Sequence, residues 1–231
     1  MKTIKSVEKS FHILNAIARW NGQKNLTELS VLLSLSPGTL HGFLATLEEV
    51  GAIDRDPQSG KYILGPLILK YSLIGNPLQS LAQACMPSLN RLRDKTKETI
   101  HLAVPEPEGK ILYIAKAESP YPYRLTSLVG TAEPAASSAL GYLLYPLELD
   151  PKDETIRKNM ETSRPCCVKY EKELDAYCLA VSFTYGNAPL RQAGLSIVIP
   201  HQRWTAHSKK FYQEALLTET QQLESWLRKM A

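Results

Sequence analysis

The chain has 231 residues, of which 44% are hydrophobic, and its formal net charge at pH 7 is +4. That length and apolar content are enough for two domains with buried cores. No segment approaches the roughly 20 consecutive apolar residues that a membrane span requires, and the charged N-terminus lacks the apolar core of a signal peptide. The four cysteines form neither a CxxC pair nor a disulfide framework, so we expect a cytoplasmic protein with reduced thiols and no membrane association.

An amphipathic helix is predicted near the N-terminus, over residues 5–20. Val7, Phe11, Leu14 and Ala18 follow one another at helical spacing and therefore form one apolar stripe. We expect this stripe to pack on the next two helices and to complete a three-helix core.

The second predicted helix begins at a capping box. Asn25 is followed three residues later by Glu28, the spacing at which each side chain can bond to the other residue's backbone N–H. Leu29, Leu32 and Leu33 then supply an apolar face.

A tight turn at Ser36-Pro37-Gly38 leads into a third predicted helix. Its apolar positions recur at helical spacing and are Leu40, Phe43, Leu44, Leu47 and Val50. Its opposite face is small and polar and consists of Thr39, His41, Gly42, Ala45 and Thr46. A helix with such a face, placed by a tight turn against a preceding helix, has the shape needed to enter the major groove of DNA. We call it the reading helix.

A short hairpin is predicted after Gly51, where the reading helix should end. Two strand-like runs, 53–55 and 61–64, flank the turn-forming run 56–60. Helix, turn, helix and hairpin in this order predict a winged helix-turn-helix, in which the hairpin is the wing. Residues 1–65 contain seven Lys/Arg and six Asp/Glu, so DNA binding would depend on where a few cations are placed.

The pattern changes after the wing. Residues 66–76 predict a short apolar linker helix that docks or dimerises, and Pro77 begins an amphipathic helix that Pro87 should kink or divide. Further helices are predicted at 135–145, 153–160 and 204–229, and strands at 99–104, 110–115, 123–129, 177–185 and 193–199. Grouped strands with helices between them and at both ends indicate an α+β domain with an antiparallel sheet, over residues 77–231.

Several stretches resemble the IclR family of transcription regulators, named for the isocitrate lyase regulator. They include LTELSVLLSLSPGTLHGFLATLEEVGAIDRDPQSGKYILGP, ETIHLAV, GKILYIAKAE and QAGLSIVIP. The resemblance implies a winged helix-turn-helix at residues 1–65, a linker helix at 66–76 that pairs subunits, and a GAF-like domain at 77–231. It further implies a homodimer or tetramer that binds double-stranded operator DNA and a small organic effector, for which the family indicates a carboxylic acid.

Candidate site residues follow from this resemblance and from the polar face of the reading helix. For DNA contact they are Ser36, Thr39, His41 and Thr46 on the reading helix, with Arg55 and Lys61 on the wing. For effector binding the resemblance implies Leu128, Gly130, Ala139, Gly141, Cys178 and Ser196. Ser137 and Ser138 are also of suitable type, and either Glu171 or Glu173 could be the acidic residue that precedes the family's cavity cysteine.

Departures from the family pattern support an alternative. The family usually has Lys or Arg and then Ser before Thr39, and Arg after His41, whereas this chain has Pro37, Gly38 and Gly42. The alternative is a small-molecule sensor or partner-binding protein that kept the fold but lost sequence-specific DNA recognition.

A third hypothesis is an enzyme built on the C-terminal domain. The sequence contains no Gly-x-Ser-x-Gly elbow, P-loop, dinucleotide fingerprint or metal-spaced His/Cys set. We therefore expect no enzyme activity, cofactor or metal site. The adjacent Cys166 and Cys167 are interpreted as a loop feature rather than as a metal-binding or redox pair.

Overall fold

The computed structural model describes residues 3–74, 76–125, 129–145, 165–186 and 191–230. The chain divides into two compact units, Met1–Pro77 and Leu78–Ala231, and each has its own hydrophobic core. The finer division at residues 65 and 76 stays a prediction. The helix expected at 153–160 and the candidate residue Leu128 lie outside the described residues.

The first unit is a winged helix-turn-helix. Its elements are α1 (Lys5–Trp20), α2 (Leu26–Leu33), α3 (Pro37–Glu49), β1 (Ile53–Arg55), β2 (Tyr62–Leu64) and α4 (Pro66–Leu73). The chain bends by 113° between α2 and α3, as is typical of the motif, and β1 pairs antiparallel with β2. The predicted order of elements is confirmed, with α3 as the reading helix.

Both helix starts of the motif are fixed by side-chain caps. The backbone N–H of Glu28 donates to Asn25 Oδ1 at 3.1 Å, and the N–H of Asn25 donates to Glu28 Oε2 at 2.9 Å, so the predicted capping box is confirmed. Pro37 occupies the first turn of α3, where a missing N–H costs no intrahelical bond. These caps fix the turn that presents α3.

The predicted buried stripe of α1 is wrong except at Leu14, which packs against the core of the first unit. Val7 and Phe11 are 50% and 61% exposed, whereas Ile13 and Ile17 are 0% and 2% exposed and belong to the core of the first unit. The helix has apolar residues on two sides, and helical spacing alone does not say which side meets its neighbours. The packing against α2 and β2 buries the isoleucines.

The linker helix α4 is attached to the first unit. Leu67 and Ile68 pack against its core, while Leu69, Tyr71 and Leu73 are exposed. Its role in dimerisation stays a prediction.

The second unit is α+β, as predicted. Its elements are α5 (Pro77–Thr96), β3 (Thr99–Glu106), β4 (Lys110–Ala117), β5 (Ala132–Pro134), α6 (Ala139–Leu144), β6 (Cys166–Glu171), β7 (Ala176–Thr184), β8 (Gln192–Pro200) and the C-terminal helix Ala206–Met230. The strands form one antiparallel sheet in the order β5-β4-β3-β8-β7-β6. Short 3-10 turns, Ala135–Ser137 and His201–Arg203, precede α6 and the C-terminal helix.

Three details of the second unit differ from the predictions. Pro87 lies inside a continuous α5 and does not divide it. The strand expected at 123–129 is absent from its described part, and β5 pairs with β4 instead. Residues 166–171 form an edge strand that the sequence analysis missed, so Cys166 and Cys167 lie in a strand rather than a loop. The edge strands β5 and β6 each pair on one side only, and β5 is just three residues long. Their sequence patterns are therefore weak.

Both faces of the sheet are covered. Ile100, Leu102 and Val104 of β3 point to the core formed with α5 and the C-terminal helix, whereas Ala103 packs with α6 on the other face. His101 lies on the α6 side because successive strand residues alternate between faces. A cavity lies on this side.

Among the described residues, no single helix combines the length and apolar character needed to cross a membrane, and α2 and α3 meet that criterion only when joined as a bent pair.

Candidate DNA interface and ligand cavity

The N-terminus of the reading helix is capped by Ser36. Its Oγ accepts a hydrogen bond from the Thr39 backbone N–H at 3.3 Å and lies 2.8 Å from Thr39 Oγ1. Both residues are exposed. The capped end of a helix presents free N–H groups and partial positive charge, which favour a phosphate. Ser36 therefore positions the helix end, and its hydroxyl is already engaged.

The remaining candidates on the reading helix differ in their surroundings. His41 and Thr46 are both exposed, and Thr46 Oγ1 donates to the carbonyl of Gly42 at 3.0 Å. A groove of about 380 Å³ between α1 and α3 is lined by Ser6, Val7, Ser10, Thr39, Gly42, Phe43, Thr46 and Leu47. Thr39 and Thr46 thus border this groove, while His41 is not among its lining residues.

The glycines of the reading helix fill no packing role. A Cβ atom built at Gly38 or at Gly42 would meet no heavy atom within 4 Å. Helix α3 contains no Lys or Arg. Folding therefore does not require glycine at either position.

The wing holds the two candidate cations. Arg55 is exposed, its Nε donates to the Gly60 carbonyl at 3.4 Å, and its guanidinium lies 5.6 Å from the centre of the Tyr62 ring. Lys61 follows Gly60, whose φ of +65° closes the turn. Backbone N–H groups of the turn donate to Asp56, which lowers the pKa of that carboxyl. The arginine is thus held against a rigid turn.

The second unit encloses a cavity of about 600 Å³ beside the sheet. It is lined by His101, Tyr113, Leu125, Glu133, Ser137, Ser138, Ala139, Leu140, Lys169, Tyr170, Glu171, Lys172, Glu173, Leu174, Cys178, Ser196 and Val198. Of the predicted effector residues, Ala139, Cys178 and Ser196 line it, as do both serines and both glutamates considered with them. Gly130 and Gly141 do not.

Gly141 has a packing role instead. It is buried in α6, and a Cβ built there would lie 1.8 Å from the carbonyl oxygen of Ala135. Its backbone N–H donates to Ser138 Oγ at 3.0 Å, which caps α6. Glycine is needed here because the preceding turn approaches the helix too closely for a side chain.

His101 also lines the cavity, although it was not predicted to do so. His101 is 4% exposed and pairs in register with Ser196 on β8. Within the described part of the chain, neither of its buried ring nitrogens has a hydrogen-bond partner. Burial, together with the charge of Lys116, lowers the pKa of His101 to about 4, so the ring is neutral at pH 7. The alternation of side chains along residues 100–104 is the signal that could have placed His101 on the α6 face of the sheet, opposite the core formed with α5 and the C-terminal helix.

Two polar pairs complete the cavity lining. The Tyr113 hydroxyl donates to Glu133 Oε1 at 2.7 Å, and burial, with the Glu133 charge, raises the pKa of Tyr113 well above its usual range. Lys169 Nζ lies 2.8 Å from each carboxylate oxygen of Glu171 and also donates to the carbonyl of Ser137. Glu133, Lys169 and Glu171 therefore already have hydrogen-bond partners.

Cys85, Cys166 and Cys167 are buried, and Cys178 is half-buried. Burial raises the pKa of Cys166 to about 11 and that of Cys178 well above its usual range. Cys166 lies in the core formed with α5 and the C-terminal helix, and Cys167 lies in the core on the α6 side. The described residues contain no group of three or more His, Cys, Asp or Glu side chains placed to hold a metal ion.

The geometry thus defines a winged-helix protein with a second, cavity-bearing α+β unit. A sequence model of the IclR helix-turn-helix domain matches residues 6–57, and one of the C-terminal domain of the bacterial transcriptional regulator IclR matches residues 78–164. The chain belongs to the IclR family of transcription regulators.

Individual relatives agree with this assignment. Over 147 residues the chain is 35% identical to the HTH-type transcriptional regulator KdgR of Escherichia coli (strain K12), a match that covers 62% of this chain and 53% of KdgR. It is 31% identical to the regulator XynR of the same organism, over 62% of this chain and 57% of XynR. The matches thus span just over half the length of these relatives. Their names are those of regulators, in agreement with the expectation that the chain is not an enzyme.

Solved structures share the fold. An IclR homologue from Microbacterium hydrocarbonoxydans, complexed with 4-hydroxybenzoate, superposes with a TM-score of 0.78 at 19% identity, covering 97% of this chain and 99% of that one.

Proposed function

We propose that the protein is a homodimeric or tetrameric regulator that binds operator DNA through its winged unit and is controlled by a small organic effector in the cavity of its second unit. The observation that carries the proposal is the capped, exposed reading helix beside a wing that holds Arg55.

Support for DNA binding comes from the type and position of the exposed groups. Thr39, His41 and Thr46 lie on exposed turns of α3 and can reach base edges. Arg55 and Lys61, together with the N-terminus of α3, would contact phosphates. One reading helix contacts few bases, so two copies related by a dyad would give a longer operator.

Support for an effector comes from the cavity. Its volume lies in the range of ligand sites, and apolar residues such as Leu140 and Val198 line it beside a few polar groups. The buried nitrogens of His101 have no partner among the described residues, and a ligand would relieve the free-energy penalty of leaving them unpaired. An IclR homologue of the same fold is complexed with 4-hydroxybenzoate, which supports a ligand-binding role for this protein.

Titration against DNA tests the proposal. The full chain is titrated with the duplex upstream of its own gene and with a scrambled duplex of equal length, at about 50 mM and 200 mM salt. We expect the upstream duplex to bind at least about a hundredfold tighter than the scrambled one, and both affinities to fall with salt. Equal affinities for the two duplexes would contradict operator recognition.

A second candidate is a sensor that no longer reads a specific sequence. It is favoured by the open space at Gly38 and Gly42 and by the absence of Lys and Arg from α3. Under this alternative, wild type would bind both duplexes equally, and the ligand would still bind the second unit.

A further inference from the structure

We infer that the cavity of the second unit takes a ligand that donates hydrogen bonds and carries no carboxylate, such as an alcohol, a phenol or an amine. The inference rests on the proposed function, because it specifies the chemistry of the effector. It departs from the carboxylic acid that the family resemblance implies.

The charges of the cavity lining are the first argument. Among the described residues, the charged side chains that line it are Glu133, Lys169, Glu171, Lys172 and Glu173. These are three carboxylates and two ammonium groups, so the described part of the lining carries a net charge of −1 at pH 7. Lys172 and Glu173 are exposed, and without them the balance is unchanged. A ligand carboxylate would enter a field of its own sign.

The state of Lys169 is the second argument. An ammonium group can donate three hydrogen bonds. Lys169 Nζ donates to both oxygens of Glu171, at 2.8 Å each, and to the carbonyl oxygen of Ser137. Its donors are therefore all engaged, and a ligand carboxylate could bind it only by displacing one of these acceptors.

His101 gives the third argument. A neutral imidazole has one donor and one acceptor nitrogen, and both nitrogens are buried without a partner in the described part of the chain. A carboxylate could accept from the donor nitrogen but would leave the acceptor nitrogen unpaired, whereas a hydroxyl or an amine can donate to that acceptor nitrogen. Burial and the nearby charge of Lys116 keep the ring neutral at pH 7, so it does not supply a cation for a carboxylate.

Glu133 provides a further acceptor. Tyr113 donates to its Oε1 at 2.7 Å, and Oε2 has no other partner among the described residues. Glu133 Oε2 and one nitrogen of His101 are therefore acceptors available to a ligand. Leu125, Leu140 and Val198 line the same cavity, so the ligand combines donor groups with an apolar body.

A matched library tests the ligand chemistry. One-ring and two-ring compounds are prepared in sets. The members of a set share the same ring system and differ in one substituent, which is a carboxylate, a primary amide or an aminomethyl group. 4-Hydroxybenzoate, 4-hydroxybenzamide and 4-hydroxybenzylamine form one such set. Binding to the full chain is measured calorimetrically at pH 7. We expect the amide or the amine of a set to bind at least about tenfold tighter than its carboxylate.

Carboxylates that bind as tightly as their partners would overturn the inference. If such a carboxylate also changes the affinity for operator DNA, the proposed function stands while the inference fails. If no compound binds, the cavity is not a ligand site for these classes, and both the effector part of the proposed function and the inference fail.

The variant Glu133→Gln isolates the charge. Glutamine retains an oxygen acceptor for the Tyr113 hydroxyl but removes the negative charge. We expect the affinity for carboxylates to rise about tenfold in this variant. Glu214→Gln, which removes an equal charge from the exposed surface of the C-terminal helix, should leave it unchanged. An equal response of the two variants would contradict the role of Glu133.

Discussion

The candidate DNA interface and the ligand cavity differ in how far apart along the chain their residues lie. All candidate DNA contacts fall between Ser36 and Lys61, within one helix and the adjacent hairpin. The cavity residues run from His101 to Val198 and come from six strands and from the turns and the helix beside them. Local patterns such as caps and helix faces can specify the first site, whereas strand order and register specify the second.

The two sites also differ in solvation. Thr39, His41, Thr46 and Arg55 are exposed, so water can satisfy those of their polar groups that make no hydrogen bond within the protein. His101 and Ser196 are each 4% exposed, so an unpaired group there has an energetic cost. Changes in the cavity should therefore affect stability strongly, and changes at the DNA interface should affect binding alone.

The largest expected effect on stability is that of Gly141→Ala. The added methyl group would overlap the Ala135 carbonyl oxygen, so α6 or the turn before it must move. We expect the free energy of unfolding to fall by about 3 kcal/mol, measured by urea denaturation. Gly42→Ala is the matched control, because its Cβ meets no atom within 4 Å and its helix propensity improves by about 1 kcal/mol. Equal responses would show that the cavity side packs no more tightly than the reading helix.

A smaller effect is expected from acidification. The folded-state pKa of His101, about 4, lies below the usual value of 6.5, so between these values the unfolded chain binds the extra proton. The contribution of His101 to the free energy of unfolding should therefore fall by about 2 kcal/mol from pH 7 to pH 5.

Urea denaturation of His101→Gln at the two pH values checks this expectation. The variant should lose that part of the pH dependence, whereas His207→Gln, at an exposed position, should retain it. An unchanged pH dependence in His101→Gln would show that the ring is not held neutral by burial.

The smallest expected effect concerns the wing. Arg55→Ala and Lys61→Ala should each weaken DNA binding by about 1 kcal/mol on specific and scrambled duplexes alike, because both side chains would contact phosphates. Lys210→Ala, which removes an exposed charge from the second unit, should have no effect.

Thr39→Ala should instead change the base preference. If Thr39→Ala leaves specificity intact, the assignment of Thr39 to a base edge is wrong.

Particular residues show how much the sequence could predict. The capping box of Asn25 and Glu28 and the hairpin after Gly51 depend on neighbours within a few residues, and the structure confirms both. The buried side of α1 depends on contacts with α2 and β2, and the stripe through Val7 and Phe11 was the wrong choice. Two apolar stripes on one helix cannot be distinguished before the neighbouring elements are placed.

The same limit applies to the cavity. Ala139, Cys178 and Ser196 line it, and the family resemblance indicated them. His101 was missed because its significance comes from pairing with Ser196, which lies 95 residues later. Gly141 was assigned to the effector site partly because it is small. The structure gives another reason for glycine there, which is the close approach of the Ala135 carbonyl oxygen.

The most direct test of the account measures whether the two sites are coupled. The affinity of the full chain for its upstream duplex is measured without ligand and with the tightest compound of the matched library at saturation. We expect the dissociation constant to change by at least about fivefold, with little change for scrambled DNA. An unchanged affinity for the upstream duplex, with the cavity saturated, would contradict it.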